Sequence, residues 1–165
     1  MDLKKVPFGS LDTFNVIIEI PEGSNEKFEY DEKSGQMVLD FVFKDLVFPF
    51  NYGFIPGTLG GDGDALDAIV LSSQPLKSGS VAACKTIGVM ETLDRGQRDD
   101  KIICVPLDDG LAVKYQNVDN LPPDSLQKWT EFYLEVARQK NKVIEILGFE
   151  KEPFSIKLMA KSRIQ

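Results

Sequence analysis

Histidine is absent from the 165-residue chain. Its absence removes Ser-His-Asp and Cys-His nucleophilic catalysis, histidine general bases and the histidine-ligated zinc enzymes. Any catalysis must then use carboxylates, lysine, tyrosine or water activated by a metal. Cysteine is scarce: only Cys84 and Cys104, each in a strand-like run, VAACKTIGVM and KIICVPL. Two thiols are too few for a structural zinc site, and they are read as buried free thiols in a reducing cytosol or, alternatively, as a disulfide. No apolar run approaches the roughly 20 residues that span a bilayer. The N-terminal stretch MDLKKVPFGSLD has two lysines and no long apolar run behind them, so no signal peptide is expected and the location is read as cytoplasmic. Positive charge is also short, with 19 Lys and Arg against 26 Asp and Glu and a net charge of −7. Such a chain lacks the clustered cations that nucleic acid requires and is repelled by anionic membranes. A phosphate compound remains a possible ligand if metal ions mediate.

The composition, 42% hydrophobic and 27% charged, is that of an ordinary globular protein and predicts one domain over residues 1–165. FNVIIEI (14–20), KFEYD (27–31) and MVLDFVF (37–43) read as strands, the last two forming a hairpin around a Ser-Gly turn. FPFNYGFIPGTLGGDGD reads mostly as loop because of its Gly and Pro content. DAIVLSS, SVAACKTIGVMETL (80–93) and KIICVPL (101–107) read as further strands, the last two joined by the polar loop DRGQRDD. In LPPDSLQKWTEFYLEVARQK the apolar residues Leu126, Trp129, Phe132, Tyr133 and Val136 have helical spacing, with Pro123 and Asp124 suited to the helix start. KVIEILG (142–148) suggests a last strand and SIKLMAKSRI (155–164) a short helix. The expected fold is mainly β (α+β): a closed barrel of short strands with one long and one short helix packed against it.

The chemistry concentrates in acidic side chains. Asp62, Asp64 and Asp67 fall within six positions of GGDGDALDAIVL, and Asp94, Asp99 and Asp100 lie in a second loop. If the segment is extended, Asp62 and Asp64 point the same way. Should the barrel bring both loops together, five or six carboxylates converge, and hard divalent cations are their natural compensation. Spacing alone leaves a solvated acidic turn equally open. An EF-hand loop fits poorly, because the alternating ligand series breaks at Leu66 and Asp67 stands where glycine is needed. Glu19 favours the metal reading. It lies in FNVIIEI, where alternation sets Val16, Ile18 and Ile20 on one face and Ile17 and Glu19 on the other, and a carboxylate in such a run is costly unless paired or metal-linked. From the residues alone, Lys27 and Glu29 read as a solvated strand face and Tyr52 as core.

Taken together, IEIP (18–21), KFEYD (27–31), NYGFIPGTL (51–59), DGDALD (62–67), GVMETLD (88–94), DDKIICVP (99–106) and the late helix resemble the soluble family I inorganic pyrophosphatases over nearly the whole chain. The family signature is Asp-x-Asp-Pro-x-Asp; here Ala65 replaces the proline and the three aspartates remain. The resemblance implies a Greek-key, OB-like barrel and hydrolysis of pyrophosphate to two phosphates. It implies several Mg²⁺ ions, with Mn²⁺ or other divalent metals as alternatives, and a homo-oligomer, with a hexamer favoured. It implies Asp62, Asp67 and Asp99 as metal ligands, with Asp94 less direct and Glu19 supporting the outer metals through water. It further implies Asp64 as the group that holds and deprotonates the nucleophilic water, Lys27 as a phosphate ligand, Glu29 and Lys101 as polar neighbours, and Tyr52 as a supporting hydroxyl. The departures fall in the phosphate-gripping half. Phe41 stands where the family has an arginine, Phe48 where it usually has tyrosine, and Val136 and Ala137 where it has an adjacent Tyr-Lys pair. Lys44 and Arg138 are candidate replacements, and Arg95 and Arg98 are read as surface charges, with replacement of the lost phosphate contacts as the alternative. Two alternatives follow: a weak or inactive module that binds divalent metal or phosphate, and a hydrolase of another phosphoanhydride with an altered pocket.

Overall fold

The computed structural model describes residues 1–164. Nine strands and three α-helices follow one another as β1 Phe14–Ile20, β2 Glu26–Asp31, β3 Gln36–Val42, β4 Asn51–Phe54, β5 Asp67–Val70, β6 Val81–Asp94, β7 Gln97–Arg98, β8 Lys101–Pro106, α1 Leu111–Lys114, α2 Ser125–Lys140, β9 Ile144–Lys151 and α3 Glu152–Ser162. Strands β1, β4, β5, β8 and β6 pair in that order, and β6 pairs again with β1, so the five close into a ring. All of these pairings are antiparallel except β5 with β8. Closure removes free sheet edges. The 14-residue β6 runs beyond the ring, where β7 and β9 pair with it, while β2 and β3 form the separate expected hairpin.

The ring strands bury both faces, which explains their nearly continuous apolar sequence. On one face Phe14, Val16, Ile18, Ala68, Val70, Ile102 and Cys104 pack with Met159 of α3. On the other, Ile69, Ile103 and Val105 join an aromatic cluster of Phe43, Phe48, Phe50 and Tyr52 with Trp129, Phe132, Tyr133 and Val136 of α2. That cluster realises the helical spacing seen in the sequence. Ile20 departs from the expected alternation: the pairing of β1 with β4 slips between Ile18 and Ile20, and Ile20 packs with the aromatic cluster instead of with Val16 and Ile18. Cys84 and Cys104 are buried free thiols.

The segment expected to be loop contains a strand, β4. Asn51 is fully buried and its side chain satisfies four groups. It accepts from the backbone N–H groups of Glu22 (3.0 Å) and Leu76 (2.8 Å), and donates to Val70 O (3.1 Å) and Ser72 Oγ (2.8 Å). Gly53 is needed for close approach, since a Cβ there would lie 2.0 Å from Ile17 O.

Candidate functional site

Asp62 and Asp64 do not lie in an extended segment. Residues 60–64 turn tightly: Gly60 N–H donates to Asp64 O (2.7 Å), Gly63 takes φ +89°, and Asp64 N–H donates to Asp62 Oδ1 (3.1 Å). The loop is closed at its base, where Ile55 N–H donates to Leu66 O (2.9 Å). The Thr58 hydroxyl donates to Ile55 O (2.6 Å) and accepts from Leu66 N–H (2.9 Å). β5 then begins at Asp67. Its parallel register with β8 sets Asp67 beside Lys101.

The second acidic segment is a hairpin. β6 and β7 meet at Arg95 and Gly96, both with positive φ (50° and 82°), the geometry of a two-residue primed turn. Thr92 fixes the following residues. Its hydroxyl donates to Asp99 O (2.6 Å), its carbonyl accepts from Asp99 N–H (3.0 Å), and its N–H donates to Asp100 Oδ1 (3.1 Å). Asp100 is thereby drawn out of the expected constellation and is gripped by Arg98, which also pairs with Glu91. Arg98 is thus a surface charge, as expected, but one bound to two carboxylates.

The remaining carboxylates do converge. Asp62, Asp64, Asp67, Asp94, Asp99, Glu19 and Glu29 line one cleft of about 240 Å³, with Lys27, Arg95, Lys101, Lys140 and Lys142, the phenolic rings of Tyr52 and Tyr133, and apolar Phe48 and Val136. A larger cavity of about 530 Å³ lies behind the aspartate loop, toward Phe154, Lys157 and Lys161 of α3; it shares Asp62, Asp67 and Asp99 with the cleft but holds none of its lysines. Seven acidic groups face five basic ones, so the cleft is negative once all of them are ionised.

Among the described residues, no three acidic side chains gather around one point. Lys101 stands between two of them: its Nζ lies 2.9 Å from Asp67 and 2.8 Å from Asp99, and 5.7 Å from the ring centroids of both Tyr52 and Tyr133. Burial alone would lower the Lys101 pKa, but Asp67 and Asp99 outweigh it and hold the ammonium charged. One ammonium cannot satisfy both carboxylates. Burial pushes Asp99 up to about 7 despite Lys101, while Asp67, raised by burial, is carried below the ordinary carboxylate range chiefly by Lys101. Glu19, 8% exposed, is pushed up to about 8 by burial, although it accepts a hydrogen bond from Tyr30 N–H (2.8 Å). Asp64 is raised by burial and then by Asp62 and Asp67. Burial keeps these groups from ionising, and the nearby positive charge does not offset it. Hard oxygen donors held in this state fit Mg²⁺ or a similar divalent cation.

Lys27 bonds Asp40 (2.9 Å) and Glu29 (3.4 Å). Neither proposed replacement cation enters the cleft. Arg138 is exposed and paired with Glu135, and Lys44 is bound through its backbone to Gln139. Arg95 does line the cleft, bound to Asp94 (2.9 Å), and so do Lys140 and Lys142, which were not singled out in the sequence. The only signal was their position at and just beyond the end of the amphipathic helix. Lys142 bonds Asp94 (2.7 Å), and Lys140 bonds Asp40 (3.3 Å).

A closed OB-like ring with an acidic cleft edged by lysines defines a class of protein suited to hard cations and phosphate oxygens. Within that class, the inorganic pyrophosphatase family model matches residues 16–164. The chain is 39% identical over 152 residues to the inorganic pyrophosphatase of Synechocystis, covering 91% of this chain and 90% of that one. It is 39% identical over 137 residues to the soluble inorganic pyrophosphatase of Zea mays, covering 82% of this chain and 64% of the longer plant protein. The fold superposes on the inorganic pyrophosphatase from Helicobacter pylori with a TM-score of 0.89 at 35% identity, over 96% of this chain and 95% of that one. For the enzyme from Thermus thermophilus the values are 0.89, 31%, 98% and 97%. The chain belongs to the inorganic pyrophosphatase family.

Proposed function

We propose that this protein is an inorganic diphosphatase that hydrolyses pyrophosphate to two phosphates with the help of divalent cations, Mg²⁺ first among them. Family membership and the identities above support the activity. The observation that carries the reading to the site is the charge of the cleft. Seven carboxylates face five cations, and burial holds Glu19 and Asp99 protonated near neutral pH, so the full set of carboxylates ionises, and an anionic substrate then enters, only together with added positive ions. Asp62, Asp67 and Asp99 are the residues that would hold those ions, with Asp94 and Glu19 supporting them. When bound, such ions acidify a water molecule and neutralise phosphate oxygens.

The chain's own groups supply the rest. Asp64, at the lip of the aspartate loop and raised in pKa, accepts the proton lost by the attacking water and orients that water. Lys101, bonded to Asp67 and Asp99 in this structure, would be free to bind phosphate oxygens when those carboxylates hold cations. Lys27 neutralises the leaving phosphate, with Glu29 beside it holding the ammonium in place. The Tyr52 and Tyr133 rings belong to the aromatic cluster and also line the cleft, where they help exclude water. Positioning and charge stabilisation are the main resources of phosphoryl transfer, and none of them needs histidine.

We infer further that residues 1–165 act as one domain and that the chain works as a homo-oligomer, with a hexamer favoured. The exposed apolar side chains Leu134 of α2, Val143 just before β9 and Leu147 of β9 support association. Neighbouring free thiols suit a cytoplasmic location, and the net charge of −7 speaks against nucleic acid and anionic membranes as partners. The test of the activity is phosphate release from pyrophosphate and from a panel of organic diphosphates, with Mg²⁺ and with chelator. Fast release from pyrophosphate that stops on chelation is expected. No release with any divalent cation sinks the enzyme reading, and preference for an organic diphosphate sinks the assigned substrate.

A further inference from the structure

The lysines of the cleft differ in how firmly their charge is held. Lys101 is enclosed between two carboxylates, and Lys142 lies 2.7 Å from Asp94. Lys27 lies 2.9 Å from Asp40 and 3.4 Å from Glu29. Lys140 has only Asp40, at 3.3 Å, and that carboxylate is already engaged more closely by Lys27. Two ammonium groups thus share Asp40, and because Glu29 lies against Lys27, Lys140 is the lysine of this corner with no carboxylate to itself. Burial, followed by the like charges of Lys27 and Lys142, lowers the Lys140 pKa, so an additional anion at this point relieves a repulsion.

The position of Lys140 is fixed by the fold. It is the last residue of α2, and Asn141 ends the helix in the left-handed conformation (φ 53°). Gln139 clasps the neighbouring loop in both directions: its side chain accepts from Lys44 N–H (2.9 Å) and donates to Lys44 O (2.9 Å). That clasp brings the helix end against β3, where the Lys140 Nζ lies 5.7 Å from the centroid of the Phe41 ring. Val136, one turn back on the same helix face, lines the cleft beside it. This corner is therefore an apolar floor carrying one weakly held ammonium, with a second ammonium across Asp40.

We propose that Lys140 and Lys27 together grip a phosphate group of the substrate, and that Asp40 is a positioning residue that holds both ammonium groups toward the cleft. The inference rests on the pyrophosphatase reading and assigns a residue to its phosphate side. A charge-assisted hydrogen bond contributes about 1.5–3 kcal/mol, corresponding to roughly 10- to 150-fold in affinity.

The experiment compares the wild type with Lys140→Met, which keeps the aliphatic stem over Phe41, with Lys140→Arg, and with Lys140→Met/Phe41→Arg, which returns a cation to the same spot. Pyrophosphate and inorganic phosphate binding are measured by calorimetry with saturating divalent cation, alongside KM, kcat, melting temperature and Mg²⁺ affinity without substrate. Lys140→Met should weaken binding of both anions and raise KM at least about tenfold, leaving melting temperature and Mg²⁺ affinity unchanged. Lys140→Arg and the double variant should recover most of the loss. If Lys140→Met folds, binds Mg²⁺ as before and holds both anions within twofold of the wild type, the assignment is wrong. If it loses Mg²⁺ affinity in step with anion affinity, the residue serves the metal side and the assignment is again wrong. A wild type that binds phosphate but does not cleave pyrophosphate overturns the activity reading, while the anion-binding comparison still decides the role of Lys140.

Discussion

The cleft has two walls that carry opposite charge on supports of different kinds. The carboxylate wall is set by the ring. Asp67 opens β5, which is paired on both sides, Asp94 ends β6, and Asp99 is pinned to Thr92 by two hydrogen bonds just before β8. The lysine wall is set by the β2–β3 hairpin, whose strands pair only with each other, and by the end of α2. Short carboxylate side chains place charge only where their backbone stands. A lysine stem reaches several ångströms, so the same ammonium position is accessible from several points in the chain. The carboxylate wall therefore tolerates no relocation, whereas the lysine wall can lose a cation at one position and regain it from another element.

Withdrawing the positive partners of the carboxylate wall should have the largest effect of any perturbation. Chelation of divalent cations is expected to reduce pyrophosphate hydrolysis by on the order of a thousandfold or more, with full recovery on adding Mg²⁺. Phosphate release assayed before and after readdition checks this; turnover that persists in chelator would remove the contrast between the walls. Next in size is Asp64→Asn. It keeps the shape of the aspartate loop but cannot take a proton, so turnover should fall by about a hundredfold or more while Mg²⁺ affinity, read by calorimetry, changes little. Wild-type turnover in this variant would withdraw the base from Asp64.

The two walls also differ in how much of them the sequence reveals. The ring strands β1, β6 and β8 are legible because burial on both faces leaves almost uninterrupted apolar runs. The aspartates are legible because their loops are short and their spacing is set by local turns. β4 is not legible: its buried asparagine and glycine look like loop residues until Asn51 is seen tying three segments together and Gly53 is seen passing under Ile17 O. The lysine wall is illegible for a different reason. Asp40 and Lys140 are 100 residues apart, and nothing local in either neighbourhood points to the other. The sequence therefore registers the loss of a cation at Phe41 but not its recovery from the helix end, and it directs attention to Lys44 and Arg138, neither of which lines the cleft.

A smaller effect concerns stability. Without metal, Glu19 titrates at about 8 and Asp99 at about 7, against ordinary values of 4.5 and 3.8 in the unfolded chain. Between those limits the folded protein keeps protons that the unfolded chain has released. Metal-free stability should therefore fall as pH rises from about 5 to 8, by up to about 1.4 kcal/mol per pH unit for each group. Asp67, Asp94 and Asp40 are shifted the other way, so their contribution is fully present above the ordinary carboxylate range and is lost only as pH falls through their lowered values, outside this window. Mg²⁺ selects the ionised carboxylates and should flatten the slope. Denaturant unfolding at pH 5, 6.5 and 8, with and without Mg²⁺, reads both effects, and metal-free stability that rises with pH over this range would contradict them.

The smallest expected effect separates charge in the cleft from charge merely near it. Arg138 lies two residues from Lys140, but its guanidinium is bound to Glu135 on the exposed side of α2, in an i, i+3 pair. Such exposed pairs contribute little to stability. Arg138→Ala should leave KM and kcat within about twofold and the denaturation midpoint nearly unchanged, as measured by steady-state kinetics and denaturant unfolding. Because it removes one positive charge from the same helix turn, it also subtracts any long-range electrostatic contribution, which salt screens over about 10 Å. A tenfold rise in KM for this variant would mean that the pyrophosphate site responds to the summed charge of the helix end, and the lysine wall would then be a diffuse field instead of a set of placed ammonium groups.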